Sequence, residues 1–147
     1  MKKILKVSIV FLIIDIIVKL IVKNFLFLNQ SIKIINNFFY ITYVKNTGAA
    51  WSILRGKQLF LIMFSIIVII MLIIYLCKKK EYSKFETIGY SLLLAGATGN
   101  LIDRIAYGYV IDYLNFYIFN YNFPIFNIAD CCIVIGIMFL FFGTWRE

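Results

Sequence analysis

Long apolar runs separated by short polar interruptions set the architecture of this chain. Four runs are long enough to cross about 30 Å of hydrocarbon at a helical rise of about 1.5 Å per residue. They extend from about Ile4 to Val22 (4–22), Gln58 to Cys77 (58–77), Phe85 to Ala106 (85–106) and Pro124 to Trp145 (124–145). Pro124 suits the first turn of a helix, where its missing N–H costs nothing. Between the first two runs, Ile32 to Val44 is rich in Ile, Phe, Tyr and Thr, which suits short strands lying against a membrane surface. Between the last two, Tyr107 to Phe123 is dense in tyrosine and phenylalanine. Such rings fit the headgroup region, either as an aromatic belt or as a surface that grips a substrate. There is no internal repeat. The pattern predicts an all-α membrane bundle of four transmembrane helices, forming a single integral membrane domain over residues 1–147.

Composition supports this class. Hydrophobic residues make up 63% of the chain, against about 45–50% in soluble domains. The start resembles a signal peptide, because Met1-Lys2-Lys3 precedes an apolar core. That core carries Asp15 and Lys19 and lacks a small-residue cleavage site, so it reads as a retained helix. The formal charge of +8 comes mostly from lysines beside apolar runs, where they set topology rather than bind nucleic acid. Lys2, Lys3 and Lys6 flank the start, Lys78, Lys79, Lys80 and Lys84 fill the second loop, and Arg146 closes the chain. Both termini and that loop are therefore expected on the cytoplasmic side. The first and third loops then face outward, although the first keeps Lys33, Lys45, Arg55 and Lys57. Histidine is absent, which removes the commonest metal ligand and general base. Cys131 and Cys132, adjacent in an apolar run, read as small buried hydrophobes, and no metal or cofactor site is expected.

The acids carry the chemistry. Glu81, Glu86 and Glu147 fall at the cytoplasmic face, as solvated charges do. Asp15, Asp103, Asp112 and Asp130 instead all map to the outer leaflet, delivered there by three helices and one loop. A charge at membrane depth costs about 2.5–3.5 kcal/mol, and such residues are paired or functional. Asp15 with Lys19 reads as a bundle-stabilising pair, and Asp103 beside Arg104 as an organiser of its neighbours. Asn46, Asn100 and Asn127 suit bonds across helices, and Ala95, Gly96 and Gly99 suit close helix approach. Asp112 and Asp130 have no local cation. Two such carboxylates a few ångströms apart share one proton, which is the arrangement of an aspartic protease.

The motifs around these residues resemble those of bacterial lipoprotein signal peptidases (signal peptidase II, peptidase family A8) over nearly the full length. They are Gly99-Asn100-Leu101-Ile102-Asp103-Arg104, Gly108-Tyr109-Val110-Ile111-Asp112-Tyr113, Phe126-Asn127-Ile128-Ala129-Asp130, Asn46-Thr47-Gly48-Ala49-Ala50-Trp51-Ser52, and Asp15 with Lys19. The resemblance implies an intramembrane aspartyl endopeptidase that removes signal peptides from prolipoproteins by cutting before a diacylglyceryl-modified cysteine. It places the catalytic dyad on Asp112 and Asp130, with Asp103 as the rival for the first role. Asn46, Gly48, Asn100, Arg104 and Asn127 match positions that surround the dyad and hold substrate or inhibitor backbone. It further implies a small extracytoplasmic β-sheet with a surface helix and loop, contact with membrane lipids, a monomer, and inhibition by globomycin-type cyclic peptides. Trp51 stands where Phe is usual, and Ile16 and Val18 replace residues that are commonly polar.

The main rival from another class is a small ion-coupled transporter subunit using intramembrane aspartates as a relay. It requires polar residues in both leaflets, and the inner halves of these runs hold almost none. A purely structural subunit leaves the convergent aspartates unexplained. A lipid phosphatase or acyltransferase would want histidine or an arginine cluster.

Overall fold

The computed structural model describes residues 1–49, 53–119 and 121–144. Ala50, Trp51 and Ser52 of the loop motif, and Trp145, Arg146 and Glu147 at the C-terminal end, lie outside the described residues. The element order is α1 (Lys2–Phe25), β1 (Ser31–Ile35), β2 (Phe39–Asn46), α2 (Gln58–Lys78), α3 (Lys84–Tyr107), β3 (Val110–Ile118), β4 (Tyr121–Asn122) and α4 (Ile128–Thr144).

The expectation of an all-α bundle of four transmembrane helices with a small sheet and surface loop is overturned: the sheet is a four-stranded antiparallel one, ordered β1-β2-β3-β4, so the fold is not all-α. Among the described residues, α2 is the one helix both long and apolar enough to cross a membrane. The reasons lie in the residues. Along α1, Asp15 and Lys19 share every long window with Lys6 or Lys23. Polar and small residues dilute α3, which ends on Asn100, Asp103 and Arg104. α4 has 17 residues, about 26 Å at helical rise.

The last run also begins later than Pro124. Asn127 caps the helix that starts at Ile128: its Oδ1 accepts from Asp130 N at 2.9 Å, and Asp130 Oδ2 accepts from Asn127 N at 3.3 Å. This reciprocal pair is a capping box with Asp in place of Glu. Phe126, just upstream, is held in a bridge to Leu114 of β3.

Helix α3 is the axis of the molecule, packed against both α1 and α4. It starts on a Ser83–Glu86 capping box and ends at Gly108, whose φ of 76° suits a residue without Cβ. At Gly96 a Cβ would collide with the Ala129 carbonyl oxygen, so only glycine lets α3 and α4 approach this closely. The exterior is inverted relative to a soluble protein: Ile9, Ile13, Ile17 and Ile21 of α1 are exposed, whereas Asp15 and Lys19 are buried.

The strands expected in 32–44 are present as β1 and β2. The aromatic segment 107–123 supplies two further strands. β2 pairs Ile41 with Leu114 and Val44 with Asp112, so Thr42 and Tyr43 oppose one residue in a bulge. Asn29 N donates to Tyr43 O at 2.8 Å and Tyr43 N to Gln30 O at 3.1 Å, so the bulged backbone is satisfied. Val22, Tyr43, Ile111 and Tyr113 form the core that joins sheet to helices. Residues 47–49 and 53–57 lie between β2 and α2 as parts of the surface loop; no surface helix occurs among the described residues there.

Candidate active site

Asp112 and Asp130 arrive from different elements, a central strand and the first turn of α4, and open onto the same cavity of about 650 Å³. Asn46, Asn100 and Arg104 share its polar end. Leu61, Phe64 and Val68 of α2, Leu93 and Ala97 of α3, and Ile133 of α4 line the apolar remainder. A mostly apolar pocket with a few convergent polar groups is the usual form of a ligand site.

Amides hold the carboxylates in place. Asp112 Oδ1 accepts from Asn127 Nδ2 at 2.7 Å, and its Oδ2 accepts from Asn46 Nδ2 at 2.9 Å. Asp130 Oδ1 accepts from Asn100 Nδ2 at 2.7 Å. Asn127 Nδ2 also reaches Asn100 Oδ1 at 3.2 Å. Asn127, fully buried, therefore touches both carboxylates: Asp112 through its side-chain amide and Asp130 through the capping box. Burial pushes the Asp112 carboxyl up to about 7, and the neighbouring Asp130 charge adds to this against the pull of the two amide donors.

Behind this layer sits a buried ionic triad. Lys19 Nζ lies 2.8 Å from Asp15 and 3.1 Å from Asp103, and donates to Asn100 Oδ1 at 3.1 Å. Asp103 Oδ2 accepts from Ile111 N at 3.0 Å, and Asp15 Oδ1 from Ala129 N at 2.9 Å. Each acid thus anchors the backbone next to a carboxylate of the cavity: Ile111 before Asp112, Ala129 before Asp130. Asp103 and Arg104, adjacent in sequence, diverge by roughly 100° around the helix. Asp103 turns to Lys19, while Arg104 Nη2 donates to Gly48 O at 3.1 Å and lines the cavity. Arg104 Nε is buried with no hydrogen-bond partner among the described residues.

The structure brings all ten sequence-predicted site residues into one connected region. Five line the cavity (Asn46, Asn100, Arg104, Asp112, Asp130), and five stand behind it (Asp15, Lys19, Gly48, Asp103, Asn127). Gly48 N donates to Asn46 Oδ1 at 2.9 Å and so orients that amide toward Asp112. Gly99, expected to permit close helix approach, does so by making room for a carboxylate, because a Cβ there would lie 2.5 Å from Asp15 Oδ2 of α1. Sequence reasoning missed two contributions. Gln58 ties the surface loop to α2 through Thr47 O at 2.9 Å. Cys131, read as buried, lines the cavity beside Asp130; the capped helix start that sets its direction was not visible with Pro124 taken as the first turn.

Comparison with known proteins identifies a family and a fold. The family model described as signal peptidase (SPase) II matches residues 7–146. A lipoprotein signal peptidase of Staphylococcus haemolyticus is 41% identical over 141 residues, covering 96% of this chain and 89% of that protein. One from Anoxybacillus flavithermus is 40% identical over 129 residues, covering 88% and 77%. Two solved structures described as a bacterial membrane enzyme superpose with TM-scores of 0.91 and 0.89, each at 36% identity. They cover 99% and 100% of this chain, and 89% and 95% of their own chains.

Proposed function

Because the chain belongs to the signal peptidase II family, we propose that Asp112 and Asp130 are the catalytic dyad with which it cleaves prolipoproteins before the diacylglyceryl-modified cysteine. The protein is a lipoprotein signal peptidase, a protease of bacterial membranes. The observation that carries the aspartyl reading is Asn127, which bonds to both carboxylates behind a single cavity, to Asp112 through its side-chain amide and to Asp130 through its backbone N–H. Asp112, raised to about 7, is protonated in about half of the molecules at neutral pH; in the reactive form it carries the proton the two carboxyls share, and Asp130 is the ionised partner. Asp130 takes a proton from a water molecule as that water attacks the scissile carbonyl. Asp112 gives its proton to the carbonyl oxygen, and collapse of the tetrahedral intermediate transfers a proton to the leaving amine.

Arg104 lines the cavity, where its guanidinium donates to a substrate carbonyl. The apolar walls from α2, α3 and α4 take the hydrocarbon next to the scissile bond. Asp103 is a positioning residue, since it holds Ile111 and Lys19 and does not reach the cavity. The sheet end faces outward, as the lysines at the opposite helix ends support. There the site meets a lipid-anchored cysteine at the depth of the membrane surface.

Purified wild type and the Asp112→Asn, Asp130→Asn and Asp103→Asn variants, incubated with a diacylglyceryl-modified prolipoprotein, test this reading. Cleavage is expected in wild type, partly in Asp103→Asn, and in neither dyad variant. Full activity in either dyad variant would sink the assignment, and abolition by Asp103→Asn alone would transfer the acid role to Asp103.

A further inference from the structure

The exposed surface at the sheet end of the molecule carries one sign of charge. Lys23, Lys33, Lys45, Arg55 and Lys57 present exposed or half-exposed side chains there, and no carboxylate among the described residues is exposed beside them. Asp103, Asp112 and Asp130 at this end are turned inward to the triad and the cavity. Apolar groups alternate with the cations: Phe25 is 78% exposed, Phe27 84% and Phe119 99%. Strand β1 is exposed on both faces along its whole length. It is also the outermost strand, so one row of its N–H and C=O groups has no partner strand. An apolar edge strand of this kind calls for a cover.

Two of the cations are held in place. Lys23 Nζ sits 3.5 Å above the Tyr107 ring and Lys45 Nζ 4.8 Å above the Tyr109 ring. The two rings stack at 5.9 Å, and Tyr109 Oη lies 3.4 Å from Tyr43 Oη. Each ring steadies its ammonium and leaves donors free to meet an oxyanion.

We propose that this face docks on the anionic phospholipid headgroups of the membrane, with Lys23 and Lys45 meeting phosphate and β1 laid along the surface. The inference rests on the membrane placement given above. Charge complementarity selects the occupant. A second copy of the chain would bring the same cations against themselves, and a zwitterionic surface would cover the apolar side chains but supply no net counter-charge.

Hydrogen exchange of the full-length protein tests the proposal, in nanodiscs of phosphatidylcholine alone and of equal parts phosphatidylcholine and phosphatidylglycerol. The amides of Ser31–Ile35 are expected to exchange more slowly in the anionic discs. Each lysine near such a surface is worth roughly fivefold in partition, so Lys23→Gln with Lys45→Gln should weaken docking about 25-fold and erase the difference. Lys2→Gln with Lys3→Gln, at the opposite end, should leave it intact. Equal exchange in the two discs, or a difference that survives Lys23→Gln/Lys45→Gln, overturns the proposal. So does protection that appears only when two copies share a disc, which would assign the face to self-association. Prolipoprotein cleavage by the same double variant in detergent is expected to match wild type. Loss of cleavage by wild type would overturn the peptidase reading without touching the exchange result.

Discussion

Lys19 is the most demanding residue to accommodate, and replacing it by Met tests how the site is built. Its side chain is 2% exposed, and its ammonium meets Asp15, Asp103 and Asn100 Oδ1 within 3.1 Å. Methionine matches its length and keeps the packing, but leaves two buried carboxylates with no cation. Removing one partner of a buried ion pair costs about 3–5 kcal/mol. For a chain of this size each kcal/mol moves the thermal midpoint by about 2–4 °C, so a drop on the order of 10–15 °C is expected in detergent, followed by circular dichroism. Neutralising the acids as well, with Asp15→Asn and Asp103→Asn, should restore at least half of that loss, because removing both sides of a buried pair is far cheaper than removing one. A Lys19→Met protein that melts within about 2 °C of wild type would refute the triad as a stabilising element on this scale. A triple variant no more stable than the single one would show that the loss comes from packing instead of uncompensated charge.

Asp112 supplies a pH test. The fold raises its carboxyl from 3.8 to about 7, so between about pH 4 and 7 the unfolded chain releases a proton that the folded protein keeps, and stability falls as pH rises through that window. Asp112→Asn removes this penalty, on the order of 4 kcal/mol at pH 8; its advantage in thermal midpoint should grow from near zero at pH 4 to a plateau by pH 8, and a flat difference refutes the raised value. With Asp112 as the acid, wild-type cleavage should also fall about tenfold per pH unit above 7. Asn127→Ala removes the α4 cap, at about 1 kcal/mol, and the amide donor to Asp112 Oδ1. Its kcat is expected to fall at least a hundredfold with KM little changed, and a loss of activity no larger than the stability loss explains would reduce Asn127 to a cap.

Much of this site was legible before the structure. Aspartates are expensive in apolar runs, so their convergence at one end of the helices was visible from spacing alone, and the strands in 32–44 showed in their β-branched and aromatic content. Other features are hidden for physical reasons. β3 is buried on both faces around Asp112, so it lacks the period-two alternation that identifies a half-exposed strand, and its aromatics read as a belt. Asp103 and Arg104 look like a pair because they are adjacent, yet neighbours on a helix point apart, and the true partner of Asp103 is Lys19 on another helix. The four-span reading failed because length was weighed above composition: α1 and α3 spend their polar residues on the site, and α4 gives up its first turn to the cap that builds it.

The Lys19 triad also has a history within each molecule. Asp15 accepts its backbone bond from Ala129, 114 residues further along, and at a synthesis rate of about 5–20 residues per second that partner emerges on the order of ten seconds later. During the wait α1 is its own counter-ion, because Asp15 and Lys19 sit one turn apart and cancel. Asp103 and the start of α4 arrive onto a charge that is already neutralised. Asp112 and Asp130 come together at the cavity only once nearly the whole chain has been made.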